Sequence, residues 1–261
     1  FKRVSLNEKK VKVLKRYTKK LNMDFICSIF DLDSFNIAKN LSLDAVKIAS
    51  SDINDLNLVK KIRTLRLPII FSTGMANLNE IKNILKVIGK KKVFALHCVS
   101  MYPTKLSDIN LSRMQEIRRK FNINVGFSDH TLGIHSALMA LSLGAQVIEK
   151  HFTDNKKRIG ADHLLSADLK DMIKIVKYSK DISKIIGSGN INPKSKEAKY
   201  KKFFRKGVYA SKVIKKGEKI TYNNIVVRRP FNSFPLKNIS KIINRPSKKN
   251  YFEGQSISTK K

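Results

Sequence analysis

Six short apolar runs alternate with amphipathic stretches of helical period, and that alternation limits the fold more than any other feature of the sequence. The runs cover 24–29 (DFICSI), 45–49 (AVKIA), 68–72 (PIIFS), 93–98 (VFALHC), 124–128 (NVGFS) and 146–151 (QVIEKH). Runs this short and this continuously apolar read as strands buried on both faces, which means a parallel sheet covered by helices. Helical patterns at 78–88, 112–120 and 134–143 lie between them. A further pattern over 6–21 precedes the first run, and one over 169–185 follows the last. Six strands fall two short of a (β/α)8 barrel. The alternative is an open doubly wound sheet, which usually carries a Gly-rich phosphate loop after its first strand; none is present.

Residues 1–186 therefore form the α/β body. The stretch 187–203 (GSGNINPKSKEAKYKKF) is polar, small and charged, and reads as a linker. Beyond it, 207–211, 213–217, 219–225 and 226–229 read as short β segments, with a turn at Lys216-Gly217, so 204–261 is a small β-rich unit. So small a unit gains stability by packing on another surface.

The chain carries 54 Lys and Arg against 20 Asp and Glu, a formal net charge of +34. Lysine far outnumbers arginine and is spread along the whole chain, as compositional drift would leave it. No aromatic-and-basic signature or zinc-finger spacing accompanies the charge, so no nucleic-acid partner is expected, although the positive field attracts small anions. No stretch approaches the ~20 apolar residues of a membrane span, and no signal peptide is visible. Cys27 and Cys98 sit inside apolar runs, which is free-thiol usage suited to a reducing cytoplasm.

Polar residues punctuate the C-terminal ends of the strands, where barrel enzymes build their active sites. They are Ser28, Lys47 with Ser50, Ser72-Thr73-Gly74, Ser100 with Tyr102, Ser128 with His130, and Lys150-His151. His130 and His151 end consecutive strands, each beside an acidic residue (Asp129, Glu149), and could form half of a catalytic metal site. Lys47 lies within a buried strand, where an ammonium is costly unless it meets an anion; it is the leading phosphate or carboxylate ligand. Ser28, Ser50, Ser100 and Ser128 could donate to the same anion. Asp162 is a loop carboxylate at the same face, able to bind a sugar hydroxyl. His97 reads as structural and His135 as an ordinary helix residue. A Schiff base on Lys47 or Lys150 is another possibility.

The segments KIAS, PIIFSTGMANLNEI, LHCVSMYPT, VGFSDHTLGIH, GAQVIEKHFT and GADHLLSAD resemble the sialic acid synthase family. VYASKVIKKGEKIT with VVRRP is similar to its C-terminal antifreeze-like (SAF) domain. The resemblance implies a (β/α)8 TIM barrel with an appended SAF domain. It implies condensation of phosphoenolpyruvate with an N-acylated amino-sugar aldehyde of N-acetylmannosamine type, using a divalent metal, Mn or Mg. It makes His130 and His151 the metal ligands. It assigns phosphoenolpyruvate to Lys47, Ser28, Ser50, Ser100 and Ser128, and the sugar to Tyr102 and Asp162. It has Arg229 reach the barrel of a partner subunit in a homodimer with exchanged C-terminal domains. The family's first two strands, with an active-site glutamate and a second phosphate-binding lysine, have no counterpart here, so the sequence reads as a fragment, and a degenerate non-catalytic paralogue is the contrasting reading. Phe231-Asn232-Ser233 also stand where the family places glycines.

Overall fold

The computed structural model describes residues 6–160, 162–231 and 234–257. The chain divides into two compact units, Phe1–Gly187 and Ser188–Lys261.

In the first unit the elements run α1 (Glu8–Lys20), β1 (Ile26–Ser28), α2 (Leu32–Lys39), β2 (Ala45–Ile48), α3 (Leu56–Arg63), β3 (Ile69–Ser72), α4 (Leu78–Ile88), β4 (Val93–Cys98), α5 (Ser112–Phe121), β5 (Asn124–Asp129), α6 (His135–Ser142), β6 (Ile148–Lys150) and α7 (Leu169–Ile186). The six strands form one parallel sheet in sequence order, β1 to β6. A doubly wound sheet reverses its strand order at a switch point. This sheet never reverses, and it curls into a half-barrel, which removes the doubly wound alternative.

The alternation along each strand separates two faces. Val46 and Ile48, Ile69 and Phe71, Val93 and Ala95, and Val125 and Phe127 form the outer face. They pack with Leu58, Val59 and Ile62 of α3, Ile81, Ile84, Leu85 and Ile88 of α4, and Met114 and Ile117 of α5. Each fully buried large side chain of this layer contributes about 1.5–3 kcal/mol. The intervening residues, Lys47, Ser72, Cys98, Ser128 and Glu149 among them, belong to the concave face. Helix α4 shows how local chemistry fixes an element. Asn77 Oδ1 accepts from the Asn79 and Glu80 amides, and Glu80 returns a bond to the Asn77 amide at 2.7 Å. That capping box satisfies the free donors of the first turn.

In the second unit α8 (Ser195–Phe204) precedes an antiparallel pair, β7 (Gly207–Ala210) and β8 (Ile225–Arg228). The core is Val208, Ala210, Ile214, Ile220, Ile225, Phe234, Ile242, Tyr251 and Ile257. Gly217 adopts φ +87°, and its amide bonds Ser247, so the expected turn forms where glycine suits it. One expectation is corrected. The segment 187–203 is no plain linker, because much of it is helix α8; its lysines, with Glu197 and Ala198, favour helix without presenting an apolar stripe. The segments 213–217 and 219–225 are short β segments and turns, and Ile225 opens β8. They make isolated bridges, Ile214 to Tyr251 and Lys219 to Pro246. Asn232 and Ser233 lie outside the described residues, so the expectation about the missing glycines is not addressed. Among the described residues no helix is long and apolar enough to cross a membrane.

Candidate active site

A cavity of about 330 Å3 opens where β2 to β6 end, lined by Lys47, Ser50, Ser72, Cys98, Ser100, Tyr102, Ser128, His130 and Glu149 with the neighbouring 49–51 and Met75. Strand register explains the gathering. Cys98 pairs with Ser128, and Ser128 with Glu149, so three inward side chains stand in one row across β4, β5 and β6.

Lys47 is 7% exposed and pairs with Glu149, Nζ to Oε2 at 3.1 Å. The other Glu149 oxygen accepts the Ser128 hydroxyl at 2.7 Å. An unpaired buried ammonium would cost several kcal/mol, roughly, so this carboxylate is what lets Lys47 be buried. Ser50 Oγ accepts the Gly74 amide at 3.1 Å and lies 3.2 Å from Cys98 Sγ. A Cβ on Gly74 would press on Ser100 Oγ, Cys98 Sγ (2.7 Å) and Ser50 Oγ (2.8 Å), so the glycine is what lets these groups converge. Ser72 is 3% exposed, lines the cavity, and its hydroxyl has no hydrogen-bond partner among the described residues. Such an unpartnered hydroxyl in a polar cavity is free to donate to an anion's oxygen.

His130, Tyr102 and His151 form an aromatic group. Ring centroids are 4.2 Å apart for Tyr102 and His130, 5.9 Å for Tyr102 and His151, and 5.6 Å for the two histidines. His130 Nδ1 lies 2.9 Å from the Val99 carbonyl. A carbonyl only accepts, so Nδ1 carries the proton and the Nε2 lone pair remains available. Burial, more than any other influence, pushes the His130 pKa down and keeps the ring neutral. The turn that delivers it is fixed beneath. Asp129 accepts from the Thr131 amide and hydroxyl and from Lys150 Nζ at 3.0 Å, while Thr104 N bonds the His130 carbonyl. Burial and the nearby Cys98, Asp162 and Glu149 push the Tyr102 phenol up, so it stays a donor. Asp162 Oδ2 lies 3.8 Å from His151 Nδ1.

The metal expectation can be weighed on these contacts. Two adjacent imidazoles, one oriented by a backbone carbonyl, are the arrangement metal-binding histidines use. Among the described residues no group of three or more His, Cys, Asp or Glu could hold an ion. The pair fits a divalent ion that keeps most of its coordination for water and substrate.

Of the expected site residues, Lys47, Ser50, Ser100, Ser128, Tyr102 and His130 share the cavity, with His151 beside His130 and Asp162 near His151. Ser28 stands opposite Lys47 in the ladder and on the same face, exposed on β1, and is outside the residues that line the cavity. Asp162 is partly exposed in its loop, its side chain 46% accessible. Lys150 is removed as a Schiff-base amine, since its side chain is 1% exposed and locked onto Asp129 and the Thr131 carbonyl. Arg229 belongs to the second unit, exposed, with its guanidinium 5.7 Å from the Phe204 ring centroid. Sequence reasoning passed over Cys98 and left Glu149 only as a neighbour of His151. The two-residue period, counting back from His151, would have found Glu149.

Residues 1–191 match the NeuB family. The chain belongs to the NeuB family. Residues 205–261 match the SAF domain. The NeuB-family chain is 37% identical to the N,N'-diacetyllegionaminic acid synthase of Campylobacter jejuni over 98% of its own length and 78% of that protein. It is 35% identical to the pseudaminic acid synthase of Helicobacter pylori, over 81% of this chain and 63% of that one. Among solved structures, the sialic acid synthetase of Leptospira borgpetersenii in complex with citrate aligns with a TM-score of 0.70 and 34% identity, over 75% of this chain and 69% of that one. These relatives of the NeuB-family chain are named as synthases of N,N'-diacetyllegionaminic, pseudaminic and sialic acid.

Proposed function

We propose that the protein condenses phosphoenolpyruvate with an N-acylated amino-sugar aldehyde of N-acetylmannosamine type, giving a nine-carbon 2-keto sugar acid and phosphate. The observation that carries this reading is the cavity. A buried lysine, an orphan buried hydroxyl and further serines line it together with Tyr102 and His130, and His151 stands beside His130. In this reading the α/β unit is a (β/α)8 barrel lacking its first two strands. The free thiols of Cys27 and Cys98 suit a reducing cytoplasm.

Lys47 and the hydroxyls of Ser50, Ser72, Ser100 and Ser128 hold the phosphate and carboxylate. Tyr102 and Asp162 take the sugar's hydroxyls. The methylene carbon of phosphoenolpyruvate forms a bond to the aldehyde carbon, water adds at C2, and the C–O bond to phosphate breaks. The residues act by orienting two reactants and by stabilising charge on the phosphate as that bond breaks. A divalent ion, Mn or Mg, held by His130 and His151 would supply Lewis-acid polarisation of the aldehyde oxygen. Arg229 of one subunit serves the barrel of the other in a homodimer with exchanged C-terminal units; no nucleic acid or membrane takes part.

The test is release of phosphate and of a 2-keto acid from phosphoenolpyruvate with N-acetylmannosamine and with its 2,4-diacetamido analogues. His130→Ala and His151→Ala should each reduce divalent-ion affinity and turnover at least about 100-fold. Wild-type turnover with unchanged metal dependence in either variant would overturn the metal assignment.

A further inference from the structure

Lys47 is the one cation lining the cavity among the described residues, and it is already engaged. Both oxygens of Glu149 are committed: one lies 3.1 Å from Lys47 Nζ, and the other accepts the Ser128 hydroxyl at 2.7 Å. The lysine and serine to which the reading above gives the substrate's anionic group are thus both held by one internal carboxylate. Ser72, whose buried hydroxyl has no such partner, lies in the same cavity. Glu149 is also the freer member of the ion pair, its side chain 41% exposed against 9% for Lys47. When the pair opens, Glu149 can move toward solvent while Lys47 stays in place.

We propose that Glu149 is a built-in competitor for the anion site, occupying Lys47 and Ser128 until a multiply charged phosphate displaces it. The inference rests on the phosphoenolpyruvate reading of the cavity. Two consequences follow from charge. An incoming anion is repelled by Glu149 before it reaches Lys47, so a singly charged anion gains too little from one lysine to displace it. A phosphate ester that also carries a carboxylate engages Lys47, Ser72 and Ser128 together and does displace it. The returning carboxylate then helps expel the phosphate product. Glu149 is therefore a positioning residue that acts through Lys47, setting which anions bind and how long phosphate stays.

The experiment is calorimetric titration of phosphoenolpyruvate, and separately of inorganic phosphate, into wild type, Glu149→Gln, Lys47→Met and the double variant. All are measured at one pH and one metal concentration. Glu149→Gln keeps the side chain's shape and removes its charge. It should bind both anions roughly tenfold or more tightly than wild type. The gain should vanish when Lys47 is Met, because the competition runs through that ammonium. A structural role for Glu149 would only weaken binding. Unchanged or weaker binding by Glu149→Gln, or a gain that persists without Lys47, overturns the inference while leaving the reading of the cavity intact. If wild type binds neither anion, the reading of the cavity fails and the inference with it. Should Glu149→Gln fail to fold by circular dichroism, Glu149→Ala is measured in its place against the same expectations.

Discussion

Two histidines on adjacent strands carry opposite assignments for a physical reason. His130 lines the cavity, with Nε2 3.5 Å from Ser128 Oγ. His97, one strand earlier and on the outer face, is fully buried, with Nε2 2.6 Å from the Ile109 carbonyl and Nδ1 without a partner among the described residues. A proton on that Nδ1 would be a buried unpaired donor, so burial pushes the His97 pKa down, opposed by its bond to Ile109 and assisted by Arg113. The folded value lies below the unfolded value of about 6.5, so the folded state binds the proton less well. Stability is full above about pH 6.5 and falls as the pH drops below it, by up to about 1.4 kcal/mol per pH unit for this group. His97→Gln keeps a donor for Ile109 and cannot titrate. Urea unfolding at pH 5.5 and 7.5 should show a smaller acid loss in the variant; an equal loss would mean that other groups carry it. Lys47→Met should raise the KM for phosphoenolpyruvate at least about tenfold and leave that for the sugar nearly unchanged. An unchanged KM would make Lys47 a paired core lysine. Lys47 was legible in the sequence because a lysine amid AVKIA violates burial. Ser28 was legible as a strand-end residue in register with Lys47, while its exposure depends on packing that the pattern of its own strand does not carry.

The elements were legible where their apolar pattern was long. The predicted ends of α4 and β4 coincide with the observed ones, and β1 to β3 and β6 are only trimmed by a residue or a few at their ends. Helices α2 and α3 have eight residues each and were not read from the sequence; α6 is no longer, but its unbroken run Ala137–Leu141 of Ala, Leu and Met, all good helix formers, set it apart from a loop. Packing between elements leaves one further mark. Gly126 lies on the concave face of β5, where a Cβ would run into the Val147 carbonyl and stand 2.6 Å from Leu96 Cδ2. The first is backbone, so β6 itself would have to move, and with it Glu149 and His151. Gly126→Ala should destabilise the first unit by about 1–3 kcal/mol and lower turnover. An unfolding midpoint and activity equal to wild type would show that the two strands tolerate a wider spacing.

At the scale of the whole molecule, the sequence announced two units through its change of pattern after 186, but not the helix that opens the second. Neither sequence nor packing within one chain says what Arg229 serves, and the proposed homodimer makes that testable by mixing. Arg229→Ala leaves a barrel intact and removes the arginine; His130→Ala disables the barrel and keeps the arginine. Each variant alone should be nearly inactive. After the two are unfolded and refolded together in equal amounts, half of the dimers combine one subunit of each kind. In each mixed dimer one barrel retains His130 and receives a native arginine from its neighbour, while the other barrel has neither. Random reassortment of a two-fold dimer should therefore recover about one quarter of wild-type turnover. Recovery of that size places Arg229 in the partner's site. A mixture that stays inactive, although mixed dimers are seen by native mass spectrometry, would mean that the arginine acts on its own barrel or not at all.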